Sequence, residues 1–280
     1  PGPDGSPYAV RDFYKVDPRL GSKGDLVNMV EKAHGLGLKV ILDLVPNHTA
    51  WDADWMKDPD YYRKNSLGEV MHPQPAWKDV AALDYTQPKT RQAMIEVMRF
   101  WLKEAKIDGF RCDAACFVPV DFWEEARAAL DQTHPGILLL AEAEDPPFLV
   151  KAFDLDYDWP LYHSLNHVLL DGKPATELRK TWEASQAKFP QGSRHLRFSD
   201  NHDQVRAVAR FGIDGAIAAQ VLMFTIDGVP LIYNGMEVGD AAESTAPALF
   251  QTRKIEWESV GRPPIRDLYR ALIAFRKETK

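Results

Sequence analysis

Only two cysteines, Cys112 and Cys116, occur in 280 residues, so neither a disulfide framework nor a four-ligand structural zinc site is available. Cys112 lies in an apolar, strand-like stretch and reads as inert packing. Uninterrupted apolar runs all fall well short of the roughly 18 residues a membrane span requires. A basic excess is missing too: 34 Lys+Arg stand against 41 Asp+Glu, a net charge of −7, which leaves no electrostatic footprint for nucleic acid or an anionic membrane. The opening PGPDGSPYAV shows neither a basic leader region nor an apolar core, and it lacks an initiator Met. It therefore says little about secretion, and the compartment stays open. Internal repeats and low-complexity tracts are absent. What remains, 45% apolar and 27% charged residues, is the composition of an ordinary globular protein able to bury a sizeable core.

Short β-branched or Leu-rich runs alternate with longer helical patterns, the mark of a parallel α/β fold. Leu26, Val30 and Ala33 recur at helical spacing and predict a helix over 25–36, stopped by Gly35 and Gly37. A strand is expected over 39–44, a helix over 88–105 and a strand over 109–113. Beyond these come a helix over 121–130, strands over 136–141 and 153–157, a helix over 175–189 and a strand over 195–199. Helix 215–224, strand 229–233 and helix 265–277 complete the pattern. The stretch 49–87 breaks the alternation, carrying Trp51, Trp55, Trp77, Tyr61 and Tyr62 without clear periodicity. A loop that long is usually functional, and its aromatics suit a ligand-facing excursion and a self-packed mini-domain equally well.

Polar clusters follow the strands one after another. They are Asp43-Leu-Val-Pro-Asn47-His48, Arg111-Cys-Asp113, Glu142 at the end of GILLLA, and Asn201-His202-Asp203. The carboxyl edge of a parallel sheet is where α/β proteins place their sites. Each cluster alone has a bland reading: a helix cap for Asn-His-Asp, a structural ion pair for Arg111 and Asp113, a solvated carboxylate for Glu142. Together they bring three carboxylates (Asp113, Glu142, Asp203), an Arg and two His to one edge. That set suits either a metal site, with Asp43, His48, Asp113 and His202 as ligands of a hydrolase, or acid/base work on a glycosidic bond. Retaining glycoside cleavage needs a nucleophilic carboxylate and a second one roughly 5–5.5 Å away. On that reading Arg111 keeps Asp113 ionised, and Glu142, entering from an apolar strand among other carboxylates, serves as general acid.

At these residues the sequence resembles the α-amylase family of retaining α-glucan hydrolases and transglycosylases, over essentially the whole chain. Residues 43–48 fit the family signature D-x-x-x-N-H, and Gly109-Phe-Arg111-Cys-Asp113 fits G-x-R-x-D, whose Asp is the nucleophile. Leu140-Ala-Glu142 fits the third signature, with the general acid/base Glu. Phe198-Ser-Asp-Asn201-His202-Asp203 fits the fourth, whose Asp stabilises the transition state. The resemblance implies that Tyr8 stacks under the sugar being cleaved and that His48 and His202 bind its hydroxyls beside Arg111. It implies an α-glucan or maltooligosaccharide substrate and chemistry that requires no cofactor. Its calcium site is represented by Asn47 and Asp84, with Ala82 where another acidic residue often sits; a hard cation wants six to eight oxygens. The family's Lys-His pair after the nucleophile is replaced by Cys116-Phe117, which removes the usual acceptor-side sugar contacts.

The implied fold class is α/β, a (β/α)8 TIM barrel. Residues 1–48 would supply its part up to the third strand, 49–87 a small domain-B-like insertion, and 88–280 strands four to eight. Relative to the family the chain begins after the second strand, without the C-terminal β-sandwich. Six strands do not close such a barrel, so a chain expressed alone is expected to expose two sheet edges. Within the family, hydrolysis and transglycosylation both fit. A non-catalytic carbohydrate-binding or scaffold relative is the rival from another class, although such relatives typically lose the carboxylates retained here.

Overall fold

The computed structural model describes residues 6–242, 253–255, 257–258 and 265–279. By packing, the chain divides into two units, Pro1–Asp156 and Tyr157–Lys280.

The first unit carries α1 (Lys23–Gly35), β1 (Ile41–Leu44), β2 (His48–Ala50), β3 (Val80–Ala82), α2 (Pro88–Glu104), β4 (Gly109–Cys112), α3 (Val120–Asp131), β5 (Leu138–Ala141) and α4 (Phe148–Lys151). Strand β6 (Leu155–Tyr157) ends it. Ser22 starts α1 through a reciprocal cap: its Oγ accepts from the Asp25 amide, and the Asp25 side chain accepts from the Ser22 amide at 2.8 Å. β1, β4, β5 and β6 run parallel, with Asp43 opposite Arg111, Arg111 opposite Leu140, and Ala141 opposite Asp156.

α2 buries Met94, Met98, Trp101 and Leu102, spaced to form one stripe, and α3 buries Phe122, Trp123, Ala126 and Leu130. These stripes pack over Phe110 and Leu139 in one apolar cluster that also contains Cys112, fully buried as its strand position requires. Each large side chain so buried contributes roughly 1.5–3 kcal/mol. Gly109 opens β4 at φ +154, and a Cβ there would lie 1.9 Å from the Leu138 carbonyl oxygen, so only glycine lets β4 and β5 meet at this register.

The long stretch 49–87 is not featureless. β2 and β3 pair antiparallel, with His48 opposite Ala82, and Tyr62 and Leu83 form a further bridge. Thr49 Oγ1 and Tyr62 Oη lie 2.8 Å apart in a buried hydrogen bond, and Tyr85 Oη donates to the Pro46 carbonyl at 2.7 Å. The insertion is thus knitted to the end of β1 by buried polar contacts. Among its aromatics, Trp55 stacks on Tyr61 at 4.9 Å, while Trp77 meets His48 edge-on.

The second unit holds α5 (Trp159–Leu169), α6 (Thr176–Lys188), β7 (His195–Arg197), α7 (Ala207–Thr225), β8 (Val229–Pro230) and α8 (Ile265–Glu278). β7 and β8 are parallel, with Leu196 opposite Val229. Arg197 is fully buried and ion-paired to Asp158 and to Asp227, the latter at 2.8 Å. α7 is long and apolar enough, by length and composition alone, to cross a membrane. Here it carries Arg210 and Asp214, kinks at Gly212, and lays Phe224 against Met236 and Tyr269.

Besides β2, β3 and the short α4, two helices depart from the expected elements. α5 was not anticipated, because Pro160 at its start and its mixed aromatic and polar residues mask the period; Pro in the first helical turn is in fact compatible with a helix. α7 begins at Ala207 rather than near 215, since Gly212 interrupts the pattern with a positive φ.

Candidate active site

Strand register assembles the first unit's charged residues. Asp113 and Glu142 stand opposite each other one position beyond the paired strands, because the ladder continues: the Asp113 amide donates to the Leu44 carbonyl at 2.8 Å and the Glu142 amide to that of Cys112 at 3.0 Å. Adjacent strands lie about 4.7–4.9 Å apart, which sets the scale of the carboxylate separation.

Arg111, buried, sits one row below and reaches all three carboxylates around it. Its Nη1 donates to Asp113 at 2.7 Å and to Asp43 at 3.0 Å, and its Nη2 lies 2.8 Å from Glu142 Oε1. The other Glu142 oxygen accepts from the Ala114 amide at 2.7 Å. Ala114 itself is left-handed, at φ +46, directly after Asp113. Non-glycine residues rarely adopt that conformation, and such strain gathers where a side chain must be aimed.

One guanidinium facing three carboxylates cannot neutralise them, so the cluster retains a proton that isolated carboxylates would shed. Burial raises the Asp113 carboxyl from its ordinary 3.8 to about 7; Arg111 opposes this, while Glu142 and Asp43 reinforce it. Arg111 thus acts on Asp113 in the expected direction, but the cation is shared with Asp43 and Glu142, and burial acts more strongly the other way. Asp43, the first residue of the D-x-x-x-N-H signature, joins the site through Arg111, a contact that exists only once β1 and β4 are in register.

His48 is 4% exposed, and burial pushes it down to about 4, so it is a neutral imidazole at ordinary pH. Asn47 Nδ2 donates to its Nδ1 at 3.2 Å, which leaves the ring proton on Nε2. The backbone of Tyr8 adds a hydrogen bond to the same ring, and Trp77 packs edge-on against it at 5.6 Å. Tyr8, half-buried, therefore stands next to His48.

Asn47 and Asp84, the pair that stands for the calcium site by resemblance, are each engaged within the protein. Asp84 spends its carboxylate on its own turn, accepting from the Thr86 amide at 3.0 Å, from Thr86 Oγ1 at 2.7 Å and from Gln87 at 3.4 Å. Ala82 is buried and offers no side-chain ligand, and among the described residues no three His, Cys, Asp or Glu side chains converge on a cation position.

The fourth cluster lies in the second unit. Asp200, buried, accepts from the Ala207 amide at 2.9 Å and so caps α7. The intervening loop turns on Asn201, whose Oδ1 accepts from the Asp203 amide at 2.9 Å, and His202 Nε2 lies 3.2 Å from Asp203. Arg206 closes the loop, bonded to the Asn234 carbonyl at 2.8 Å and to Asp240 at 3.1 Å.

Comparison with known proteins fits this arrangement. The family described as "Alpha amylase, catalytic domain" matches residues 3–79 and 69–268. An α-amylase MalA of Haloarcula japonica is 29% identical over 245 residues, 83% of this chain and 36% of that protein. Alpha-amylase 3 of Dictyoglomus thermophilum is 28% identical over 290 residues, 89% of this chain and 56% of its own length. The chain thus spans about half the length, or less, of these curated relatives. Among solved structures, a noncanonic maltogenic α-amylase AmyB from Thermotoga neapolitana superposes with a TM-score of 0.87 at 34% identity, over 99% of this chain and 64% of that one. An α-amylase from Lactobacillus plantarum gives 0.89 at 29% identity, over 99% and 68%. With the family matched over most of its residues and its parallel α/β architecture shared, the chain belongs to the α-amylase family and is built on that family's TIM-barrel catalytic fold.

Proposed function

We propose that this chain carries the catalytic centre of a retaining α-glucosidase-type enzyme that cleaves maltooligosaccharide or starch-type α-glucans by double displacement. The observation that carries the reading is Arg111 bridging Asp43, Asp113 and Glu142 across adjacent strands, with Asp113 and Glu142 at matched positions. In the first step an Asp113 carboxylate oxygen bonds to the anomeric carbon as the glycosidic C–O bond breaks, and the leaving oxygen takes the proton of Glu142. In the second, Glu142 removes a proton from water, the water oxygen bonds to the anomeric carbon, and Asp113 leaves.

Arg111 orients both carboxylates and spreads their charge. His48, neutral, is assigned to a sugar hydroxyl by its motif, and Tyr8 beside it offers an aromatic face. Asp203 and His202 are assigned to transition-state stabilisation and hydroxyl binding by their motif. No step is routed through a cation.

The test is turnover of a chromogenic α-maltooligoside by the full-length protein, wild type beside Asp113→Asn. A loss of about 10³-fold or more, over roughly 4 kcal/mol of barrier, is expected. Comparable activity in both would remove Asp113 from the role and overturn the mechanism.

A further inference from the structure

Asp203 sits on irregular chain. Residues 198–206 join β7 to α7 without a helix or a strand, so no periodic structure fixes where its carboxylate points. A group that stabilises a transient charge has to be held to within about half an ångström, which a bare loop does not do. The loop supplies one restraint of its own, the Asn201 side chain on the Asp203 amide at 2.9 Å. A second comes from outside it.

Tyr162, on α5 and only 4% exposed, stacks on Phe198 with ring centroids 5.3 Å apart and planes inclined by 18°. Its Oη donates at 2.6 Å to Oε1 of Gln204, the residue directly after Asp203. Arg210, on α7, donates to the same Oη through Nη1 and to the Ser199 carbonyl through Nη2. The direction of this chain is fixed. A guanidinium only donates, so the single phenolic proton is left for Gln204, and the amide is held by its oxygen. Arg210 is held in turn, its guanidinium lying over the Phe211 ring at 4.3 Å. One cation therefore ties the start of the loop, at Ser199, to the position after Asp203, through a phenol that stacking immobilises.

We propose that Tyr162 is a positioning residue for Asp203, acting through Gln204 and oriented by Arg210. This rests on the retaining mechanism above, in which Asp203 is assigned to the transition state. The hydroxyl acts by holding the loop rather than by exchanging a proton with substrate, since it is buried and its proton is committed to Gln204. Packing of α5 against Phe198 uses the ring of Tyr162, whereas positioning uses its hydroxyl. Removal of one oxygen atom separates the two.

The experiment is a double-mutant cycle on the full-length protein with a chromogenic α-maltooligoside. Tyr162→Phe keeps the stacked ring and removes only the hydroxyl. It should lower kcat and kcat/KM together about tenfold, with KM held within about twofold, as loss of an interaction made only in the transition state requires. Gln204→Met removes the other end of the bond and should give the same loss. In an Asp203→Asn background, Tyr162→Phe should lower turnover by less than about twofold, because the carboxylate it aims is no longer there. Melting curves check that each variant is folded at the assay temperature. Wild-type turnover in folded Tyr162→Phe, or a tenfold loss that persists in the Asp203→Asn background, overturns the positioning role and leaves the mechanism standing. Asp203→Asn with the turnover of the wild type overturns instead the assignment of Asp203 on which the proposal rests.

Discussion

Asp113 is the residue on which charge and chemistry conflict. It must be ionised to attack, yet burial holds it up to about 7, so the acid limb of kcat/KM should lie near neutrality rather than near 3.8. A limb found below about pH 5 would contradict this. The same shift bears on stability. The folded state holds a proton on Asp113 that the unfolded chain releases at 3.8, so this contribution is present below that pH and lost as pH rises through about 7. Asp113→Asn cannot ionise and escapes the loss. The variant should melt above the wild type at pH 8, and the gap should close towards pH 4; thermal melts across that range measure it directly. The position of Asp113 was legible in the sequence, since a charged residue directly after an apolar strand demands a partner. Its proton was not, because that depends on how many carboxylates share Arg111.

At the scale of elements, the site is an outcome of register. β4 and β5 meet only because Gly109 has no Cβ, and Gly109→Ala would drive a methyl into the Leu138 carbonyl from a backbone angle that alanine avoids. The expected result is a loss of more than about 3 kcal/mol, seen in urea unfolding, with activity lost beyond what the unfolded fraction explains. Slippage there would part Asp113 from Glu142. Runs such as KVILDL and GILLLA announced their strands because each is short, apolar and rich in Val, Ile and Leu. β2 and β3 did not, being three residues each and paired across nearly the whole insertion, with nothing local to mark them. The Tyr85–Pro46 hydrogen bond that joins that insertion to the segment just after β1 is likewise a long-range contact, invisible to any window-based reading.

The whole molecule carries a net charge of −7 and no basic tract, and its proposed substrate is a neutral polyol. Recognition then depends on short hydrogen bonds and aromatic faces, which salt screens little. KM for maltooligosaccharides should change by less than about twofold between 50 and 500 mM NaCl, where a binder of charged polymers would lose orders of magnitude. Steady-state kinetics at the two salt concentrations decide the point. At this scale the fold class was readable from the order of strands and helices. The division at residues 156 and 157 was not, since it falls inside β6 and no change in composition marks it.

The guanidinium of Arg111, held among Asp43, Asp113 and Glu142, has a practical consequence for anyone who tries to trap a substrate in this protein. Replacing Glu142 by Gln, a natural way to arrest the reaction, also removes one of the negative charges that hold the Asp113 carboxyl up, so that carboxyl moves downward and ionises more readily. The arrested enzyme would then hold Asp113 ionised down to a lower pH than the wild type does. A trapped complex would report the wild-type pose with the mutant's electrostatics, and affinities measured on it would not transfer.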